Sequence, residues 1–204
     1  MSTKIKICGL TRAQDIRTAN ALQLDYIGFV FTPKSKRFVA PEQAKQLRRQ
    51  LAPGIQAVGV FVNAPPEQIA ALLVDGTINI AQLHGQEDAA YIARLRSLTR
   101  APIWQAFRIE NTEDISRANA SPADLVLLDH GAGGTGERFD WALLHGMARP
   151  FVLAGGLTSQ NAVEAIAKAR PYAVDASSGC ETNGVKDPAK MLAFVNAVRN
   201  TITD

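Results

Sequence analysis

At 204 residues the chain has room for one large domain or two cramped ones, and 47% hydrophobic against 20% charged residues supplies ample apolar material for one core. The net charge of +3 excludes strongly acidic or basic character. The basic runs go no further than Arg48-Arg49 and Lys34-Ser35-Lys36-Arg37, so nucleic acid is not expected as a partner. Met1-Ser2-Thr3-Lys4 leads straight into a strand and no apolar run approaches about 18 residues, so no signal segment or membrane span is expected and the expected location is cytoplasmic. Cys8 and Cys180 lie far apart and match no C-x-x-C pattern, which leaves neither a structural disulfide nor a metal site to expect.

In chain order, β-rich runs recur at Lys4-Cys8, Tyr26-Phe31, Gln56-Val62, Ile78-His84, Pro102-Arg108, Asp124-Asp129, Phe151-Gly156 and Ala173-Gly179. Between them, Pro41-Leu51, Pro65-Val74, Glu87-Leu98 and Asn161-Ala169 are rich in Ala, Leu, Gln, Glu and Arg and suit helices. Thr11 with Gln14 reads as a capping box opening the first helix, and Asp187 before Pro188 as the N-cap of the last. Each strand is thus expected to be followed by a helix. Eight such units of about 25 residues predict an α/β fold, a closed parallel (β/α)8 or TIM barrel, as a single domain over residues 1–204. The near-continuous apolar runs Val126-Leu127-Leu128 and Phe151-Val152-Leu153 fit strands covered on both faces.

In such a barrel the reactive groups sit at the C-terminal ends of the strands. There the chain places Cys8 after the first strand, Arg37 after the second, His84 at the end of the fourth, Asp129 at the end of the sixth, and Asp175 with Ser177 on the eighth. Gly155-Gly156 and Ser177-Ser178-Gly179 follow the seventh and eighth strands, where barrels commonly hold phosphate: glycines admit oxygens to backbone N–H groups, Ser178 adds a hydroxyl, and a following helix N-terminus adds positive dipole. A phosphorylated small molecule is the expected partner. Taken singly, each position has a plainer use. A cysteine can fill a core, Asp129 can start a turn, His84 can cap a strand, Arg37 can be a solvated charge, and the glycines and serines can shape tight turns. Their convergence on strand ends is what packing does not explain.

Gly131-Ala132-Gly133-Gly134-Thr135-Gly136 fits the dinucleotide pattern G-x-G-x-x-G, but the acidic residue required at the end of the next strand is replaced by Ala154-Gly155-Gly156. Glu137 after Gly136 excludes the Walker pattern as well. The segment reads as a mobile loop beside Asp129.

Lys6-Ile7-Cys8-Gly9-Leu10-Thr11, Gly28-Phe29-Val30-Phe31 with Ser35-Lys36-Arg37, Gln82-Leu83-His84-Gly85, Leu127-Leu128-Asp129, Gly133-Gly134-Thr135-Gly136 with Phe139-Asp140-Trp141, Leu153-Ala154-Gly155-Gly156-Leu157, and Asp175-Ala176-Ser177-Ser178-Gly179 with Lys186-Asp187 together resemble phosphoribosylanthranilate isomerase. The resemblance spans nearly the whole chain. It implies an Amadori rearrangement of N-(5-phosphoribosyl)anthranilate in tryptophan biosynthesis, without cofactor or metal. It also implies Asp129 as general acid, Cys8 as general base, Arg37 on the anthranilate carboxylate, and His84 and Asp175 lining the anthranilate side. For those roles Asp129 should be raised by burial or negative charge and Cys8 lowered by positive surroundings and the nearby helix start.

Lys36 departs from the family's usual proline and Cys180 from a common valine, and a Cys180 near Cys8 would expose the enzyme to oxidative inactivation. Two other readings use the same barrel. One is a phosphate-barrel isomerase of the histidine pathway, against which Cys8 argues because that enzyme usually employs two aspartates. The other is a non-catalytic sugar-phosphate sensor, which would tolerate loss of Cys8. With no long apolar surface stripe, the expected state is a monomer.

Overall fold

The computed structural model describes residues 2–129 and 141–201. Eight parallel strands close into a barrel in which each pairs with its sequence neighbours and β8 returns to β1. They are β1 (Lys4–Cys8), β2 (Tyr26–Val30), β3 (Gln56–Phe61), β4 (Ile80–Leu83), β5 (Ile103–Arg108), β6 (Leu125–Asp129), β7 (Phe151–Leu153) and β8 (Ala173–Ala176). Outside run α1 (Ala13–Ala21), α2 (Pro41–Arg48), α3 (Pro66–Val74), α4 (Ala89–Leu98), α5 (Thr112–Ala120), α6 (Ala162–Ala169) and α7 (Pro188–Arg199).

Successive side chains of a strand point to opposite faces, and this alternation divides the apolar residues into two sets. Ile5, Ile7, Ile27, Phe29, Ala57 and Leu128 face outward and pack with helix residues such as Ile16, Ile69 and Phe194 in one continuous shell. Val58, Ile80, Trp104, Leu127, Val152 and Ala173 fill the barrel's interior. Cys8, Val30 and Val60 form a separate small cluster at the strands' C-terminal ends. Each large apolar side chain removed from water contributes about 1.5–3 kcal/mol, so the shell and the plug of side chains together hold the barrel closed.

The alternation of strand and helix has two exceptions. Among the described residues β6 is followed by a single 3-10 helix, Trp141–Gly146, rather than an α-helix. Leu144 of that turn is buried in the outer shell and Lys168 of α6 lies 5.4 Å from the Trp141 ring centroid, so a short turn covers the surface a helix covers elsewhere. The glycine-rich segment Gly131–Gly136, with Phe139 and Asp140, lies outside the described residues. After β8 the chain makes a 3-10 turn, Ser178–Cys180, and then an antiparallel hairpin of β9 (Glu181–Thr182) and β10 (Val185–Lys186) before α7 begins. Its two-residue turn is Asn183-Gly184, both with positive φ (52° and 78°), the conformation that Asn-Gly favours in tight hairpins.

Caps close both ends of the helical series. At α1 the expected Thr11–Gln14 box is replaced by Asp15, whose Oδ2 accepts the backbone N–H groups of Thr11 and Arg12 at 3.0 Å each. A carboxylate one residue further in reaches those free donors and suits the positive end of the helix. At α7 the expectation holds: Asp187 accepts from the N–H groups of Ala189 and Lys190, with Pro188 at the first position. Because Asp187 also accepts from Thr182 Oγ1 at 2.7 Å, it ties the hairpin to the helix. Asp187→Ala is expected to destabilise the fold, read as a lower midpoint of urea denaturation.

Candidate active site

The strand ends surround a cavity of about 480 Å³ at the C-terminal mouth, lined by Cys8, Arg37, His84, Asp129, Gly155, Gly156, Asp175, Ser177 and Ser178. Nine of the ten residues singled out in the sequence therefore meet in one place. Gly179 is the exception. A Cβ there would lie 2.0 Å from the Leu157 carbonyl oxygen, so this glycine lets the β8 loop press against the β7 loop rather than touch a ligand. A smaller cavity of about 330 Å³ at the opposite end of the barrel, lined by residues such as Gln23, Asp25 and Arg199, contains none of them.

Cys8 is 9% exposed and packs with Val30 and Val60. Its neighbour in register on β2 is Gly28, where a Cβ would come within 2.6 Å of the sulfur, so the missing side chain makes room for the thiol. The Cys8 carbonyl accepts from Ser177 Oγ at 3.0 Å, which pins the end of β1 to the end of β8. The expectation that positive surroundings depress this thiol is corrected. Burial pushes it up, Asp175 adds to the rise, and the pull of Lys6 and Lys186 in the opposite direction does not overcome them.

Beneath Cys8 lies a residue that the sequence reading passed over. Lys6 is fully buried on the inward face of β1, its Nζ 2.7 Å from Asp175 Oδ2 on the adjoining strand. Burial disfavours the ammonium, but Asp175 and Cys8 together outweigh it and hold Lys6 charged. An ammonium and a carboxylate in a dry interior each compensate the other, and either alone would be costly. The signal was available: a strand alternates faces, so a lysine two positions before an inward cysteine must point inward too. Asp175 Oδ1, Gln82 Oε1 and Thr32 Oγ1 border the same cavity and are buried without a protein partner among the described residues. Orphaned polar atoms of this kind call for polar groups on a bound molecule.

Across the mouth, His84 Nε2 lies 3.6 Å from Asp129 Oδ2 and His84 Nδ1 lies 3.1 Å from the Gln82 amide nitrogen. With that amide donating, the ring proton sits on Nε2, toward Asp129. Asp129 is 26% exposed and faces the cavity from the end of β6.

Arg37 is less free than its loop position suggested. Its Nε and Nη2 grip Glu181 Oε1 and Oε2 at 2.6 and 2.8 Å, a bidentate pair that leaves Nη1 for a ligand. Lys186 also donates to Glu181 Oε1, and burial's upward push on that carboxyl is overcome by Arg37 and Lys186, which hold it at about 2. Gly9, with φ of 83°, lets the arginine pass, since a Cβ there would meet Arg37 Cδ at 2.4 Å.

At the other side of the mouth, the backbone N–H groups of Gly155, Gly156, Ser178 and Gly179 donate to no protein acceptor among the described residues. Gly155 and Gly156 have φ of 90° and 64°, a left-handed turn open to glycine. The helix N-terminus expected to follow β8 directly is instead the 3-10 turn Ser178–Cys180. Cys180 is fully buried within it, and burial pushes its thiol up to about 12.

The model of the N-(5'-phosphoribosyl)anthranilate (PRA) isomerase family matches residues 5–197. The chain belongs to this isomerase family. A relative named N-(5'-phosphoribosyl)anthranilate isomerase from Caldanaerobacter subterraneus is 43% identical, covering 98% of this chain and 99% of its own. The Thermotoga maritima phosphoribosyl anthranilate isomerase superposes with a TM-score of 0.89 at 36% identity, covering 97% and 98% of the two chains. A further isomerase structure, in complex with reduced 1-(o-carboxyphenylamino)-1-deoxyribulose 5-phosphate, has a TM-score of 0.86 at 35% identity, over 97% and 98%. Within the family the Thermotoga maritima enzyme is described as dimeric. Among the described residues no helix is long and apolar enough to cross a membrane.

The depressed carboxyl of Glu181 generates a prediction for the site's stability. Its stabilising charge is present above the unfolded value near pH 4.5 and is lost as pH falls toward about 2. The stability difference between wild type and Glu181→Gln, measured by urea denaturation, is therefore expected to be largest near neutral pH and to shrink steadily below about pH 5.

Proposed function

We propose that the chain catalyses the Amadori rearrangement of N-(5'-phosphoribosyl)anthranilate to 1-(2-carboxyphenylamino)-1-deoxyribulose 5-phosphate in L-tryptophan biosynthesis, with Asp129 as general acid and Cys8 as general base. The observation that carries this reading is the placement of Cys8 and Asp129 on β1 and β6 around one cavity bordered on another side by the free amides of Gly155, Gly156 and Ser178.

The chemistry follows from the groups present. Asp129 gives its proton to the furanose ring oxygen as the C1'–O bond breaks, leaving an iminium whose nitrogen carries the anthranilate ring. The Cys8 sulfur then takes the proton from C2', and the C–H electron pair moves into the C1'–C2' bond to give the enolamine. Protonation of C1' with loss of the C2' hydroxyl proton, whose O–H electron pair becomes the carbonyl bond, completes the ketone. One acid and one base suffice, and no cofactor enters the scheme. Ser178 Oγ joins the free amides in holding the phosphate, with Ser177 and Gly179 shaping their loop. Arg37 offers Nη1 to the anthranilate carboxylate while Glu181 holds the rest of its fork still. Val30, Val60 and Val62 supply an apolar wall for the aromatic ring. His84 orients Asp129, and Asp175 offers Oδ1 to the substrate's polar edge. A single chain supplies all of these groups, so the scheme asks for no partner subunit.

Cys8→Ala and Asp129→Ala are each expected to lower turnover by about 10²–10⁴-fold while circular dichroism and the unfolding midpoint stay near wild type. The measurement is loss of anthranilate fluorescence from freshly generated substrate. Turnover retained in either variant would remove that residue from the scheme. Binding without turnover in the wild type would favour a sensor.

A further inference from the structure

Lys6 takes part in no step of the scheme above, yet it is among the largest fully buried side chains of the described residues. Its position on the inward face of β1, two residues before Cys8, puts its ammonium beneath the thiol. The charged groups facing that thiol come from four elements: Lys6 on β1, Asp175 on β8, Lys186 on β10, and Arg37 from the loop after β2. Val30 and Val60 complete the surroundings with apolar surface. Arg37 and Lys186 are both bound to Glu181, whose carboxylate offsets their charge before it reaches the sulfur. Lys6 differs from them. It shares the inward face of β1 with Cys8 and is bound to no carboxylate but Asp175 among the described residues, and it is the largest influence opposing burial at the sulfur.

We propose that Lys6 is the positioning residue of the general base, its ammonium set under Cys8 from two residues back on the same face of β1 so that it favours the sulfur's charged form when the proton is taken, while Asp175 anchors that ammonium from the neighbouring strand. The proposal rests on the reading of Cys8 as base. In the proton-abstraction step the S–H bond forms as the C2'–H bond breaks, and Lys6 keeps its own proton throughout. The buried lysine's charge thus opposes, without cancelling, the burial that disfavours a thiolate. Asp175 does double duty: one oxygen fixes Lys6 at 2.7 Å, and the other, without a protein partner, faces the cavity.

The test reads the ionisation of Cys8 apart from turnover. In a Cys180→Ala background, the rate of alkylation by iodoacetamide is followed against pH for wild type, Lys6→Met, and the double variant Lys6→Met/Asp175→Asn, which leaves no buried carboxylate without its partner. Lys6→Met is expected to move the alkylation midpoint up by about one pH unit or more, a tenfold smaller thiolate fraction at neutral pH. The rising limb of kcat should move the same way, with kcat at pH 7 lower by about tenfold and KM little changed. In the double variant the midpoint moves in the same direction by less, because the opposing charge of Asp175 is gone as well. Circular dichroism establishes folding, and the double variant carries the decision if the single one does not fold. An unchanged midpoint in a folded variant overturns the proposal. If instead Cys8→Ala retains turnover, the base assignment fails while the alkylation midpoint still reports whether Lys6 governs the thiol.

Discussion

The seam between the first and last strands is the constraint on which the rest of this barrel depends. β1 and β8 pair in parallel with Lys6 opposite Asp175, and the two side chains meet as an ion pair inside the closed sheet. Had the strands slipped by one residue, the lysine and Cys8 would face the apolar helical shell and Ile5 and Ile7 the mouth. The pair therefore reports the register as well as filling the interior. Its burial carries the usual penalty for charges taken from water, repaid only when both partners are present. Ser177 Oγ on the Cys8 carbonyl continues the same seam to the lip of the cavity.

Close approach is the second recurring device. Gly28 makes room for the Cys8 sulfur, Gly9 for the Arg37 stem, and Gly179 for the carbonyl of Leu157. In each case absence of a Cβ sets how near two strands or loops come, and so where a polar head ends up. The cavity's polar side chains are positioned by the empty space beside them as much as by their own rotamers.

The eight strands and most of the helices were legible because their signals are local: apolar runs, helix-forming stretches, an aspartate before a proline. The cavity's polar rim was legible for a related reason, since the end of each run is visible in the sequence. Lys6 was hidden inside a run read as apolar, although the two-residue period pointed it inward. Glu181 was hidden by distance, for the arginine it grips stands 144 positions earlier in the chain. The Asn183-Gly184 turn that carries it was a readable hairpin signal, passed over because a helix was expected after every strand. The direction of the Cys8 shift was not legible at all, because desolvation is a property of everything packed around the thiol rather than of its neighbours in the chain. The short turn after β6 likewise answers to packing against α6 rather than to propensity.

The small hairpin after β8 has a consequence for anyone who would rebuild this enzyme. Glu181 and Lys186 stand opposite each other across its two strands, and from there they set the pose of an arginine in the loop after β2. The two loops are mechanically one module, although almost the whole length of the chain separates them. Grafting the β2 loop from a relative without its matching hairpin would transplant the arginine and leave its socket behind.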